Sequence, residues 1–157
     1  MDDRAFRNTM GKFATGVTVV TTKTEENVHG MTANAFMSVS MNPKLITISV
    51  DNRATMLDKI HHSGRFAVSI LGEEQQDISM HFAGQKEKDD GVEFDLINDM
   101  PIVRDSLATV VCDVYDSYVV GDHTLFIGKV LEINLRDGRP LTFYQGQYGN
   151  YRALEHA

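Results

Sequence analysis

Residues 107–120, LATVVCDVYDSYVV, and residues 124–135, TLFIGKVLEINL, are two runs rich in β-branched and aromatic residues, separated only by Gly121-Asp122-His123. Such residues suit a pleated, half-buried surface, and a glycine beside an acid between two such runs makes a tight reversal. The pair reads as a long antiparallel hairpin, and the rest of the chain continues the pattern. RFAVSIL (65–71) alternates, with Phe66, Val68 and Ile70 on one face. LITISV (45–50) follows Asn42-Pro43, and GVTVVTT (16–22) and HGMTANAFMSVSM (29–41) flank the polar turn KTEEN (23–27). RDGRP (136–140) makes a further reversal before the aromatic, glycine-punctuated LTFYQGQYGNYRAL (141–154). Strands outnumber helices, and no β-α-β alternation signals a parallel sheet. The expectation is a mainly β chain folded as an antiparallel barrel with short flanking helices.

Three helices are expected. In Arg4 to Ala14, the residues Phe6, Met10, Phe13 and Ala14 recur at helical spacing behind Asp2 and Asp3, whose charge the helix dipole favours, and the segment stops near Gly16. Thr55 and Asp58 have the spacing of a capping box, with Leu57 and Ile60 apolar and Gly64 placed to end the turn. Glu73 to Ala83 forms the third, and the acidic stretch from Lys86 to Asp99 reads as a surface excursion.

The 157 residues suffice for one core, with no linker or composition shift, so residues 1–157 are read as a single domain. A formal charge of −7 disfavours nucleic acid and anionic bilayers as partners, because each phosphate contact asks for Lys or Arg. Cys112 is the only cysteine, which rules out an intrachain disulfide and thiolate-rich metal centres. The N-terminus MDDRAFRNTMGKF has no apolar signal region, and no apolar run is long enough to span a bilayer. A cytoplasmic protein without membrane contact is expected. Rossmann, P-loop, nucleophile-elbow and zinc-protease patterns are all missing, and His61 and His62 point apart on their helix, so no metal site is expected.

Four segments can carry chemistry. Thr32-Ala33-Asn34-Ala35-Phe36-Met37-Ser38 sets hydroxyls, an amide and small residues between two β segments, which lets backbone donors approach a flat heterocycle or a phosphate. A strand with a polar outer face is the commoner reason for such a pattern, and from the residues alone it is the favoured reading. Asp51-Asn52-Arg53-Ala54-Thr55 leads into a helix whose free N–H groups suit an anion, although ordinary capping is the commoner reason for such residues. Gly121-Asp122-His123 puts a titratable ring beside a carboxylate at a barrel rim, or is a plain turn. Phe143, Tyr144, Tyr148 and Tyr151 either stack on a ring or cover a barrel end or subunit interface.

Taken in order, FRNTMGKFATGVTVVTT, GMTANAFMSVSMNPKL, RFAVSIL and GDHTLFIGKV resemble the flavin reductase-like family of split β-barrels, the short-chain reductase components of two-component flavin monooxygenases. GMTANAF and GDH carry most of that likeness. Within the family the chain is most similar to the small components of phenol hydroxylase and 4-hydroxyphenylacetate hydroxylase systems. The resemblance implies a homodimer of six-stranded Greek-key barrels with a flavin groove near the dimer interface. Thr32, Ala33, Asn34, Ala35, Phe36 and Ser38 would lie along the isoalloxazine, and Asp51, Asn52 and Thr55 would serve the ribityl and phosphate end. Ser79, Phe82, Ala83 and Gly84 would line the flavin, His123 would meet the nicotinamide, and Tyr144, Tyr148 and Tyr151 would close over NADH. Ala35 stands where many members carry Ser, and Asn42-Pro43-Lys44 replaces a frequent Pro-Pro pair.

The implied activity is hydride transfer from NADH to FAD, or to FMN, with reduced flavin passing to a separate monooxygenase. Positioning and charge stabilisation are then the protein's work. A non-catalytic flavin-binding or electron-carrier protein on the same barrel is the rival, since fold alone does not fix function.

Overall fold

The computed structural model describes residues 1–25 and 27–155. In chain order the elements are α1 (Asp3–Met10), β1 (Thr15–Gly16), β2 (Thr18–Thr24), β3 (Asn27–Ala33), β4 (Phe36–Met41), β5 (Lys44–Asp51), α2 (Thr55–Ser63) and β6 (Arg65–Ile70). A single 3-10 turn, Glu73–Gln75, then leads into α3 (Gln76–Phe82). After it come β7 (Phe94–Ile97), β8 (Met100–Val103), β9 (Ala108–Val120), β10 (His123–Leu135), β11 (Leu141–Tyr144) and β12 (Gln147–Asn150).

Seven strands, not the six that the resemblance implies, form one antiparallel sheet in the order β3-β2-β6-β9-β10-β5-β4, because residues 29–41 break at Asn34-Ala35 into two strands, one on each edge. Its two edges, β3 and β4, are consecutive in the chain and joined by Asn34 and Ala35 alone. Two residues cannot cross an open sheet of seven strands spaced roughly 4.8 Å apart. The sheet must therefore be rolled until its edges meet, which makes it a barrel split at the β3–β4 seam. The β9–β10 hairpin supplies the longest wall, with two register shifts, between Ile127 and Gly128 and between Val130 and Glu132, that sharpen its twist. Gly121, at φ 61°, makes the reversal that a two-residue hairpin turn requires.

The barrel interior follows from alternation. Ile46, Ile48 and Val50 of β5 point inward and meet Val20, Phe66, Val68, Cys112 and Phe126, while α2 inserts Met56 and Ile60. Burial pushes the Cys112 thiol up to about 12, so it is a core side chain with no thiolate character at neutral pH.

β6 is covered on both faces. Phe66 and Val68 face the barrel core, while Ala67 packs outward with Met100, Ile102 and Val111. The cover is the β7–β8 hairpin, whose first strand lies inside the stretch expected to be a mere surface excursion. Phe94 and Ile97 are apolar enough to be drawn against the barrel, while most of the rest of the stretch, Asp95, Leu96, Asn98 and Asp99 included, stays exposed.

Two further expectations are corrected. α1 ends at Met10, short of Ala14, because the Gly11 carbonyl accepts the Gln145 N–H and draws the chain toward β1. Thr55 does not act as a capping box with Asp58. Ala54 is the N-cap, without a side-chain bond, because the turn closed by Ala54 N–H on the Asp51 carbonyl sets the entry one residue early. Gly64 does end α2, in the left-handed conformation at φ 68°. RDGRP leads out of the barrel sheet, since β11 pairs with β1 and β12 in a separate three-stranded sheet. That small sheet is tied to the barrel through Val17, Val19, Leu71, Val103 and Leu141.

Candidate functional site

The seam, α3 and the β11–β12 hairpin enclose a solvent-open cleft of about 180 Å³. Thr32, Ala33 and Asn34 form one wall, Ser79 and Ala83 of the α3 region a second, and Tyr148 with Phe143 a third. The walls have separate local causes. β3 must end at Ala33 because the chain crosses to the other sheet edge there. β11 and β12 are joined by Gln145 and Gly146, both at positive φ (49° and 77°), as a two-residue hairpin of the mirror-image class demands. The hairpin thereby sets Phe143 opposite Tyr148, with ring centroids 5.3 Å apart in an edge-to-face arrangement.

The polar groups of the cleft are held by one another. Thr18 Oγ1 donates to the Ala33 carbonyl at 2.7 Å, and Thr32 Oγ1 donates to the Ser79 carbonyl at 2.6 Å. Thr32 therefore offers an incoming molecule acceptor lone pairs, not its proton. Ser79 Oγ lies 2.8 Å from the Tyr148 phenol oxygen. Among the described residues, neither the Asn34 nor the Ala35 backbone N–H finds a partner within the chain, which leaves two donors on the seam. A flat, polar-edged heterocycle fits this set: small side chains for its face, free N–H groups for its edge, and aromatic rings opposite.

A second cluster lies at the same end of β5. Phe36 pairs with Ile48, and Ser49 N–H donates to the Ala35 carbonyl at 3.2 Å, so the seam runs toward Asp51. Asp51 there stands opposite His123 in the β5–β10 ladder. His123 Nδ1 is 2.8 Å from Asp122 Oδ1, and that contact holds the Asp122 carboxyl below its usual range. Arg53 binds Asp51 through its guanidinium (2.9 and 3.1 Å) and its backbone N–H (2.8 Å), holding that carboxyl well below the usual range. Asn52 N–H donates to the Asp122 carbonyl, and Thr124 Oγ1 donates to Asn52 Oδ1, locking the two turns together.

The structure thus gathers Thr32, Ala33, Asn34, Ser79, Ala83 and Tyr148 around the cleft, and Asp51, Asn52 and His123 at the rim. Ala35 is at the seam but outside the cleft lining, and Ser38 is exposed beyond it on β4. Phe36 is turned against the barrel core. Thr55 is exposed at the start of α2. Phe82 packs on Gly30, where a Cβ would overlap its ring, and lies outside the cleft lining. Gly84, Tyr144 and Tyr151 are exposed outside it as well. Two lining residues, Val17 and Gln85, are not expected from the sequence, whereas Phe143 belongs to the aromatic set expected to stack on a ring or to cover a barrel end. Two wider grooves, about 460 and 500 Å³, flank α3, but their mixed charges pair with one another, as in Lys88 with Asp77 and Arg104 with Glu93.

A rolled antiparallel sheet with an open, donor-edged cleft at its seam defines a split-barrel protein built to receive a flat heterocycle. The sequence matches the flavin reductase like domain over residues 10–152, and the chain belongs to that family. It is 43% identical over 152 residues to an NADH-dependent flavin reductase from a Rhodococcus species, covering 95% of this chain and 85% of the relative. It is 38% identical over 145 residues to the reductase component of 4-hydroxyphenylacetate 3-monooxygenase from Thermus thermophilus, covering 92% and 93%. The solved structure of flavin reductase PheA2 in its native state superposes with a TM-score of 0.95 at 52% identity, covering 98% of this chain and all of that one.

Proposed function

We propose that this chain is an NADH-dependent flavin reductase that reduces FAD, and FMN less well, and supplies the reduced flavin to a separate monooxygenase component. The observation that carries the reading is the cleft at the β3–β4 seam, with the Asn34 backbone N–H unpartnered on one side, that of Ala35 unpartnered beside it on the seam, and the Tyr148 and Phe143 rings on another side. The family and the relatives named above support it. Flavin, when bound, supplies the acceptor for a hydride from NADH. The protein's part is to hold the two rings face to face: Thr32 to Asn34 under the flavin, Asp51 and Asn52 toward its phosphate end, and His123 toward the nicotinamide. Ala35, Ser38, Thr55, Gly84, Tyr144 and Tyr151 stand further out at the surface, while Phe36 packs against the barrel core and Phe82 on Gly30.

A second copy of the chain is part of the proposal. Phe6, Met10 and Phe13 of the N-terminal region, Met37, Val39 and Met41 of β4, and Ile133 and Leu135 of β10 are all exposed. Apolar surface on this scale calls for a homodimer. The chain acts as one domain in the cytoplasm; no described helix is long and apolar enough to cross a membrane. The test is consumption of NADH and of NADPH with FAD, FMN and riboflavin added in turn. Turnover with NADH that depends on added flavin and is fastest with FAD is the expected result. Flavin binding without NADH consumption would favour the electron-carrier reading instead.

A further inference from the structure

Thr32, Ser79 and Tyr148 form a polar chain across the cleft, running from β3 through α3 to β12. The link between the two hydroxyls has a direction that burial decides. Ser79 is fully buried, whereas Tyr148 is half-buried along the open cleft. Among the described residues, the Ser79 hydroxyl has no partner except the Tyr148 oxygen, 2.8 Å away. Were Tyr148 the donor, the Ser79 proton would be sealed inside the protein with no acceptor, which carries the full desolvation cost of that group. With Ser79 as donor, its proton is satisfied and the phenol keeps its own. That proton is then free for a molecule in the cleft that Tyr148 lines.

The position of the phenol is fixed as well as its polarity. Phe143 meets the Tyr148 ring edge to face, and Thr32 holds Ser79 in place by its carbonyl. A hydroxyl so oriented has little freedom to lose when a ligand arrives. We propose that the Tyr148 phenol, its oxygen accepting from Ser79, donates its proton into the cleft and selects a heterocycle that presents a carbonyl oxygen or ring nitrogen at that point. The inference rests on the flavin reading of the cleft and assigns to Tyr148 the recognition of one polar edge of the flavin ring. The Asn34 and Ala35 N–H groups are placed for another edge. Ser79 is a positioning residue that acts through Tyr148.

Four proteins test this: wild type, Ser79→Ala, Tyr148→Phe and the double variant. Each is titrated with oxidised FAD and with FMN, followed by flavin fluorescence and by the visible absorption of the bound flavin, and each is melted without ligand. Tyr148→Phe is expected to raise the flavin Kd about 3- to 10-fold and to shift the visible band, as loss of one hydrogen bond to the ring would. The double variant is expected to match it in both respects, and Ser79→Ala to weaken binding less. Stability is expected to follow the pairing instead: Tyr148→Phe strands the buried Ser79 proton, and the double variant recovers part of the loss. Should Tyr148→Phe fail to fold, the double variant, which leaves no stranded hydroxyl, carries the binding test. Unchanged affinity and spectrum in both Phe variants would overturn the inference, as would equal losses in Ser79→Ala and Tyr148→Phe. Failure of the wild type to bind either flavin would remove the flavin reading itself, a different result from binding that is indifferent to residue 148.

Discussion

His123 lies directly opposite Asp51 in the β5–β10 ladder, and each is held by a residue close by in the chain, His123 by the adjacent Asp122 and Asp51 by Arg53 two residues on. The ring is thereby fixed through Nδ1, and Nε2 has no partner among the described residues. The rim therefore presents one oriented imidazole face close to the seam.

His123→Ala is predicted to lower kcat/KM for NADH about 10- to 100-fold, the range for a hydrogen bond to a group that gains charge, while changing flavin Kd much less. Steady-state kinetics and a flavin titration on the same preparation check it. Lost flavin binding with normal turnover of the remainder would move His123 to the flavin side.

Asp51 makes the rim sensitive to acid. Its carboxyl is held down chiefly by the hydrogen bonds from Arg53, so the unfolded chain takes up its proton before the native one does. The ion pair's contribution is thus complete above the ordinary aspartate value of about 3.9 and is lost as pH falls through the lowered native value. The difference in Tm between wild type and Asp51→Asn should be widest near neutrality and narrow below about pH 4. A difference that does not vary with pH contradicts this.

Gly128 is where the β10 backbone passes closest to the core. A Cβ there would come within 2.6 Å of Phe66 Cζ and 2.8 Å of Cys112 Cβ, both on fully buried residues. Neither neighbour has free space to move into, so Gly128→Ala is predicted to cost about 1–3 kcal/mol by overpacking. Denaturant unfolding measures it, and an unchanged midpoint would refute it.

Much of this architecture is legible in the residues. The β-branched runs around Gly121-Asp122-His123 specify the long hairpin, and alternation in LITISV specifies which side chains of β5 enter the barrel. Closure is not legible locally, because Asn34-Ala35 looks like the middle of one β segment until the sheet order shows it joining opposite edges. Phe94 and Ile97 stand among acids in the sequence, and their packing, Phe94 against Val17, Val19 and Leu71 and Ile97 against Ala67 of β6, is a tertiary fact. The same limit applies to the cleft. Val17 reads as part of a strand, Gln85 as an exposed polar residue after a helix, and neither carries a pattern that points to the other. Only the topology brings residues 17, 32–34, 79, 83, 85, 143 and 148 to one place. The direction of the Ser79–Tyr148 bond is likewise invisible without burial, since both are hydroxyls.

The account stands most directly on whether this chain itself moves a hydride between the two rings. The measurement is anaerobic: purified protein with one equivalent of FAD, mixed with one equivalent of NADH, while the flavin and nicotinamide absorption bands are followed together. The account predicts that the oxidised-flavin band bleaches as the NADH band disappears, one for one, and far faster than in the same mixture without protein. FAD that binds to the protein but is reduced no faster than free FAD would contradict it.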